Sequence, residues 1–225
     1  QYVGLQNEQM THLAWAIFAG IVCGIVTSSL TIKPTKLAWP IITSLALMII
    51  ASLLDSQSNS LTRPDQLIFS QFLLGFGSLL VVILPIIIAD GGYYIYYGDY
   101  NSQQIPFYNL ANDAVRSGSF GWNWYTDLGV NFIGSYAFYL LGSPFFWLTT
   151  ILPRSWVTFA MPVLLCMKHG IASLTAYAYI RRFVRSPHAA MIGGLLYAFS
   201  GFQLFNIFFN HFQDVTAFFP LLLIA

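Results

Sequence analysis

The sequence predicts an all-α fold, a bundle of membrane-spanning helices, and three observations support this. The 225-residue chain is 57% hydrophobic but only 8% charged, with a mean hydropathy of +0.67. Soluble domains carry about 25% charged residues, so much of this surface is expected to face lipid. Apolar runs close to the ~20 residues of a membrane span recur along the chain. Short polar breaks, among them TIKPTK and NHFQD, separate those runs.

The apolar runs predict where the spans lie. They cover residues 13–31, 38–54, 67–89, 156–180, 189–209 and 215 onward. A further apolar run, residues 131–152, is interrupted by Gly134, Gly142, Ser143 and Pro144. We therefore expect that run to be re-entrant or interfacial rather than a full crossing.

Two parts of the chain are expected. Residues 1–60 form an N-terminal transmembrane hairpin without an assigned role, and residues 61–225 form the N-terminal part of a helical membrane core. The chain opens at Gln1 without Met and stops inside the apolar run PLLLIA. We therefore expect the core to continue beyond residue 225.

Composition and motifs argue against several functions. The formal net charge is +1, so there is no basic field to attract nucleic acid. Cys23 and Cys166 lie inside apolar runs, which is typical of small buried side chains rather than of a disulfide or a metal pair. The sequence contains no P-loop, dinucleotide fingerprint or Ser-His-Asp arrangement.

Charge distribution predicts the orientation. The densest basic cluster is the loop RRFVRSPH, which the positive-inside rule places in the cytoplasm. Residues 90–155 are then an extracytoplasmic loop, and Asp99 and Asp214 share the outer face. Lys33 and Lys36 lie outside in this topology, against the rule.

The segment GGYYIYYGDYNSQQIPFY directly follows the third apolar run. It places Asp99 on a tyrosine-rich loop at the mouth of an apolar helix, where lipid-borne substrates meet water. A carboxylate there could act as a general base. The alternative is a loop or N-cap acid bonded to nearby backbone amides.

An amphipathic helix is predicted next, with Pro106 as its first residue and Gly118 at its end. Its apolar side carries Phe107, Leu110, Ala111, Ala114 and Val115. Its polar side carries Asn109, Asn112, Asp113 and Arg116. Such a helix is suited to lie in the headgroup plane, although an ordinary helix packed within the loop is the alternative.

The order of these segments resembles that of a known family. A span is followed by GDYNSQQIPFYNLANDAVRSG, then by WNWYTDLGVNFIGSYAFYLLGSPFFWLTTILP, KHGIASLTAYAYIRRF, GGLLYAFSGFQLFN and HFQD. Over about residues 67–225 this resembles the bacterial YfhO family, which belongs to the GT-C superfamily of polytopic membrane glycosyltransferases. The resemblance implies an inverting transfer of a sugar from a polyprenyl-phosphate donor to an extracytoplasmic acceptor. Such acceptors include a teichoic acid, another cell-wall glycopolymer or a glycolipid.

The resemblance also implies roles for particular residues. The acid of the first extracytoplasmic loop matches Asp99, and the family's glutamine and Pro-Phe match Gln104, Pro106 and Phe107. The lysine of the second core span matches Lys168. The acid after the third core span matches Asp214, although HFQD lacks the tryptophan of the family pattern.

Lys168 is informative without the resemblance, because it lies near the middle of an apolar span. An isolated charge there costs at least ~2.5–3.5 kcal/mol on insertion scales. A phosphate contact would explain it. A buried ion pair, or a lysine that snorkels to the interface, would explain it too.

The remaining polar candidates lie at span ends and in the loop. His211 and Asp214 could hold the acceptor, assist Asp99 or bind a divalent cation, and they could also be ordinary polar residues where a helix leaves the membrane. Arg116 and Arg154 could meet the lipid phosphate or simply contact headgroups. No cofactor is predicted, and a divalent cation lacks a convincing ligand set.

Aromatic rings crowd the loop. They are Tyr93, Tyr94, Tyr96, Tyr97, Tyr100, Trp122, Trp124 and Tyr125. Such rings stack on the apolar faces of sugars, and they also form the ordinary interfacial belt of membrane proteins. We expect a substrate-binding set of Lys168, Gln104, Tyr100, Arg116, His211 and Asp214.

The sequence thus predicts a multi-pass glycosyltransferase of the cell membrane with an extracytoplasmic active site. Its expected partners are the polyprenyl-phosphate-linked donor, the polymer or glycolipid acceptor and membrane lipids, with no nucleic acid. A transporter or flippase of a lipid-linked sugar is the first alternative, although no internal repeat supports it. A noncatalytic scaffold of the cell envelope is the second.

Overall fold

A computed structural model describes residues 64–225. Its helices are α1 Pro64–Ala89, α2 Ile105–Ser117, α3 Phe132–Tyr136, α4 Pro144–Thr149, α5 Val157–Ile180, α6 Pro187–Ala198, α7 Gly201–Phe205 and α8 Phe212–Ile224. Shorter helical turns occupy Tyr100–Gln104, Ala137–Leu141, Arg154–Trp156 and Asn206–Phe209. The strands β1 Trp122–Asn123 and β2 Val130–Asn131 form one small antiparallel hairpin. The predicted helical class is confirmed for this part of the chain.

Three stretches of helix are long and apolar enough to cross a membrane. They are Leu67–Ala89, Arg154–Ile180 and Pro187–Phe209. They agree with the predicted spans 67–89, 156–180 and 189–209. The run from residue 215 falls in α8, a shorter apolar helix of 13 residues. The predicted spans 13–31 and 38–54 lie outside the described residues.

Helices α1 and α5 run antiparallel in close contact. Gln71 bonds to Ser173 near one end, and the rings of Tyr93 and Phe159 lie 4.8 Å apart at the other. Gly75 allows this approach, since a Cβ there would come within 2.7 Å of the Ser173 Cβ. Both ends of the segment between α1 and α5 therefore lie at the same end of the helix pair.

The third span packs antiparallel to α5, whereas α8 runs parallel to it. The His169 and Phe199 rings lie 5.4 Å apart, and Gly193 lies against Ile180. Thr175 Oγ1 donates to the carbonyl of Ala217 at 2.7 Å, which fixes the register between α5 and α8. Helix α5 thus lies at the centre of the bundle formed by the described residues.

A buried glutamine joins three of these helices. The Gln71 amide on α1 donates to Ser173 Oγ on α5 at 2.6 Å and to the Met191 carbonyl on α6 at 3.1 Å. Because both bonds are buried, water does not compete for the amide hydrogens of Gln71. The amide therefore fixes how far each helix can slide along the others.

Proline interrupts the hydrogen-bond ladder of α8. Pro220 has no N–H to donate to the Thr216 carbonyl, four residues earlier. The Tyr197 hydroxyl on α6 donates to that carbonyl instead, at 2.8 Å. A polar group that the proline leaves unpaired is thus satisfied by a neighbouring helix.

Residues 131–152 do not form one continuous helix, in agreement with the predicted interruption. Helix α3 gives way to the π-helical turn Ala137–Leu141, and Gly142 ends that turn. Helix α4 begins again after Ser143, whose hydroxyl accepts from the Phe146 N–H as an N-cap. The re-entrant or interfacial position of this segment stays a prediction.

Helix α2 begins at Ile105, one residue before the predicted Pro106, ends before Gly118 as predicted, and lacks the predicted polar face. Pro106 lies in its first turn, and Gly118 ends it in the left-handed conformation with φ 70°. The side expected to be polar is partly buried, because Asn112 is fully enclosed and donates to the Thr149 carbonyl at 3.0 Å. This burial agrees with the alternative of a packed helix. Its position in the headgroup plane stays a prediction.

Candidate functional site

A buried ion pair lies at the centre of the helix bundle. Lys168 Nζ on α5 is 2.6 Å from Asp214 Oδ1 on α8. The lysine side chain is 2% exposed and the aspartate side chain 13%. The structure thus shows the buried ion pair that the sequence left as an alternative to a phosphate contact, and the partner of Lys168 is the other charged residue that the family resemblance selected.

Lys168 has further polar and aromatic partners besides Asp214. Nζ donates to the Asn210 carbonyl at 2.9 Å and lies 3.4 Å from Asn210 Oδ1. It also lies 5.3 Å from the centre of the Phe145 ring, a cation–π distance. A gap too small for a water molecule adjoins the ammonium group; it is lined by Tyr108, Met161, Leu164, Leu165, Lys168 and Asn210.

The segment NHFQD is not where the sequence placed it. Sequence reasoning put His211 and Asp214 at the external end of a span, where polar residues leave the membrane. His211 is instead only 8% exposed, and Asp214 contacts a lysine midway along the span Arg154–Ile180. The correction has a packing cause: α8 begins alongside the middle of α5.

His211 lies in an aromatic enclosure. Its ring centre is 4.3–6.0 Å from those of Phe138, Tyr139, Phe209 and Phe212. Burial first and the positive charge of Lys168 second lower the pKa of His211 to about 4, against the opposite effect of Asp214. The imidazole is therefore neutral at pH 7.

Gln104 connects His211 to the loop that carries Asp99. Its amide nitrogen is 3.3 Å from His211 Nδ1. In this orientation of the amide its nitrogen donates, so Nδ1 accepts and the imidazole proton lies on Nε2. Nε2 has no hydrogen-bond partner among the described residues.

Tyr100 is enclosed by other tyrosines. It is fully buried, and its ring meets those of Tyr94 and Tyr96 edge-on at 5.3 and 6.3 Å. Burial raises the pKa of the Tyr100 phenol well above its usual value. The hydroxyl therefore stays protonated, and it has no partner within the described part of the chain.

Asp99 lies at the start of the turn Tyr100–Gln104 and is half-buried. It occupies the N-cap position of that turn, but its side chain makes no capping hydrogen bond, in contrast to the alternative of an acid bonded to nearby amides. No hydrogen bond or ion pair joins this carboxylate to any residue from 64 to 225. The neighbouring Gly98 lies against Phe208, so the loop rests on the segment that leads into Asn210 and His211.

Arg116 and Arg154 are engaged elsewhere. Arg116 donates to Asn112 Oδ1 at 2.7 Å, to the Thr150 carbonyl at 3.0 Å and to the Leu152 carbonyl. Arg154 forms an exposed ion pair with Asp113 at 2.7 Å. Neither arginine contacts the buried ion pair or His211, and their role as phosphate ligands stays a prediction.

Sequence reasoning missed three residues that adjoin the ion pair. Tyr108 lies beside Lys168, and burial together with the nearby Asp214 raises the pKa of its phenol. Asn210 could have been found, since it adjoins His211 in the polar segment NHFQD. Phe145 gave no signal, because one more ring in an apolar run carries no information about its contacts.

A candidate metal centre does not emerge from the described residues. No group of three or more His, Cys, Asp or Glu side chains in residues 64–225 is close enough to hold an ion. Cys166 is a buried free thiol, as expected for a small apolar-type side chain.

Comparison with known proteins gives one match. The family model described as bacterial membrane protein YfhO matches residues 78–225, which is more than half of the chain. No curated protein and no solved structure matches this sequence.

Proposed function

We propose a function for this chain from the family to which it belongs, the YfhO family of bacterial membrane proteins. The chain transfers a sugar from a polyprenyl-phosphate donor to an extracytoplasmic acceptor. The acceptor would be a teichoic acid, another cell-wall glycopolymer or a glycolipid. The observation that carries the proposal is the carboxylate of Asp99, which bonds to no residue from 64 to 225 and lies on a loop packed against the segment that supplies the partners of Lys168.

The chemistry needs a base on one side of the anomeric carbon and a cation on the other. Asp99 would take the proton of the acceptor hydroxyl as its oxygen attacks the anomeric carbon. The bond from that carbon to the phosphate oxygen then breaks, with inversion, and polyprenyl phosphate leaves. Lys168 would offset the negative charge that develops on the leaving phosphate.

Gln104 and His211 support the link between these two groups. Asp99 and Gln104 lie at opposite ends of the turn Tyr100–Gln104, and Gln104 contacts His211 at 3.3 Å. His211 and Asp214 lie one turn apart at the start of α8. The turn Tyr100–Gln104 and the contact of Gln104 with His211 therefore connect the loop of the proposed base to the segment that holds the buried cation.

The direct test replaces Asp99 by Asn and measures transfer in membranes supplied with donor and acceptor. A lost general base lowers the rate by about 10²–10⁴-fold. Asp90→Asn is the matched control, because Asp90 is a half-buried acid in the segment that follows the same span. Full transfer by Asp99→Asn, or an equal loss in both variants, would remove Asp99 from the mechanism.

A flippase for a lipid-linked sugar is the second candidate, and the third span favours it. Helix α6 ends at Ala198 and α7 begins at Gly201, so this span is broken. Broken spans are common in transporters. Reconstituted vesicles without acceptor decide the point: a flippase moves donor across the bilayer there, whereas a transferase leaves it in its original leaflet.

A further inference from the structure

The ammonium of Lys168 is fully engaged in this structure, which is unexpected for a group proposed to bind a phosphate. An ammonium has three N–H donors. Nζ faces three oxygens: Asp214 Oδ1 at 2.6 Å, the Asn210 carbonyl at 2.9 Å and Asn210 Oδ1 at 3.4 Å. The adjoining gap does not admit a water molecule. A phosphate can therefore reach Lys168 only by replacing one of its present partners.

The three oxygens differ in how easily they can be replaced. The Asn210 carbonyl belongs to the backbone and moves only with the chain. The carboxylate of Asp214 is on a side chain, and its 13% exposure compares with 2% for Lys168. It also carries the same sign of charge as a phosphate. Exchanging one anion for the other keeps the buried cation compensated, whereas losing a neutral partner would not.

A second hydrogen-bond donor at the site has no acceptor. His211 Nε2 carries a proton and has no partner among the described residues, although the side chain is only 8% exposed. The histidine is close enough to Lys168 and Asp214 to respond to both charges. A buried donor without an acceptor costs free energy, so an anion arriving here would satisfy a group that is now unpaired.

We infer that Asp214 occupies the phosphate site of Lys168 from within the chain, and that the phosphate of the lipid carrier binds by displacing it. This inference rests on the proposed function and adds to it a step of release. The buried ion pair is the closed state of the site. In this state Asp214 neutralises the charge of Lys168 between turnovers. Because Asp214 competes with the phosphate for Lys168, it also favours dissociation of the product polyprenyl phosphate.

The first experiment measures polyprenyl monophosphate binding to the full chain in phosphatidylcholine nanodiscs, with polyprenol as the lipid without phosphate. Asp214→Asn keeps a hydrogen-bonding group of the same size but removes the competing charge. We expect it to bind polyprenyl monophosphate about tenfold more tightly than the unmodified chain, with polyprenol binding unchanged. Lys168→Met should lose the preference for the phosphate lipid. Equal or weaker phosphate binding by folded Asp214→Asn overturns the inference.

The second experiment needs no variant, so it stands even if Asp214→Asn does not fold. A hydrophobic carbodiimide is applied to the unmodified chain, and labelled carboxyls are located by peptide mass spectrometry. Polyprenyl monophosphate should raise the labelling of Asp214 several-fold, and polyprenol should not. Asp113, which pairs with Arg154 elsewhere, is the internal control and should not change.

The outcomes separate the inference from the proposed function. Tight phosphate binding with unchanged labelling of Asp214 overturns the displacement and leaves sugar transfer standing. Binding that does not distinguish the phosphate lipid from polyprenol overturns both.

Discussion

Two cations, one beside helix α2 and one on it, are held in different ways. Tyr108 of α2 lies beside Lys168, whose only charged partner among the described residues is the side chain of Asp214. At the C-terminal end of α2, Arg116 donates to the Thr150 and Leu152 carbonyls and to the side chain of Asn112. One cation is buried against a side chain of opposite charge, and the other is exposed and bonded mainly to backbone oxygens.

This difference separates structural cations from exchangeable ones. Backbone carbonyls cannot leave without moving the chain, so Arg116 joins the end of α2 to the segment before α5. A carboxylate can rotate away, so the contact of Lys168 can be exchanged for another anion. Under the proposed function, the nature of the resident partner, rather than charge alone, would identify the phosphate ligand.

The largest expected effect is on the buried ion pair. Lys168→Met leaves Asp214 without its cation and should lower the free energy of unfolding by about 3–5 kcal/mol. The double variant Lys168→Met/Asp214→Asn removes both charges and should recover most of that loss. Unfolding in mixed detergent micelles measures both. Additive losses in the double variant would show that the two charges do not stabilise each other.

The second largest effect is expected on the pH dependence of stability, which should differ between the site of Lys168 and the site of Arg116. The pKa of His211 is about 4 in the folded protein, against an ordinary value of 6.5, so the unfolded state binds the proton first on acidification. The free energy of unfolding should therefore fall by up to about 3 kcal/mol from pH 6.5 to pH 4.

Unfolding midpoints across that pH range measure the effect. His211→Gln, which keeps a polar side chain without a titrating ring, should reduce the slope, and the buried imidazole of His169 on α5 should contribute part of what remains. Arg116→Gln should leave the slope unchanged, because no histidine adjoins that arginine among the described residues. An unchanged slope in His211→Gln would place the titrating group elsewhere.

The smallest effects are expected at the exposed arginines. Arg116→Gln loses hydrogen bonds to two carbonyls and should cost about 1–2 kcal/mol of unfolding free energy. Arg154→Gln breaks an exposed ion pair and should cost less than about 1 kcal/mol. Sugar transfer by both should stay within about twofold of the unmodified chain once compared at equal folded protein. A loss of transfer much larger than the loss of stability would instead support the phosphate-binding role that the sequence predicted.

Sequence reasoning predicted the elements whose signal is local. The apolar runs gave three spans, and Pro106 and Gly118 bounded α2, because length, proline and glycine act within a few residues. The isolated charge of Lys168 required a partner for energetic reasons. Resemblance to the YfhO family supplied Asp214 as a candidate, without indicating that the two side chains touch.

What could not be predicted depends on packing between distant segments. The contact of Lys168 with Asp214 requires α8 to start beside the middle of α5, and no periodicity fixes that register. Asn112 lies on the side that its neighbours mark as polar, yet the contact with Thr149 buries it. Phe145 reaches Lys168 from a run whose broken path follows from tertiary contacts.

The proline in α8 has a mechanical consequence. Its missing N–H removes one rung of the ladder, so the turns that carry Asp214 are coupled only weakly to the turns beyond residue 220. The Tyr197 hydroxyl on the third span holds the Thr216 carbonyl at this joint. The Gln71 amide joins α1 to α5 and α6. Thr175 also holds the Ala217 carbonyl to α5, so bending at the joint would displace the turns beyond residue 220 while the turn that bears Asp214 stays beside the lysine.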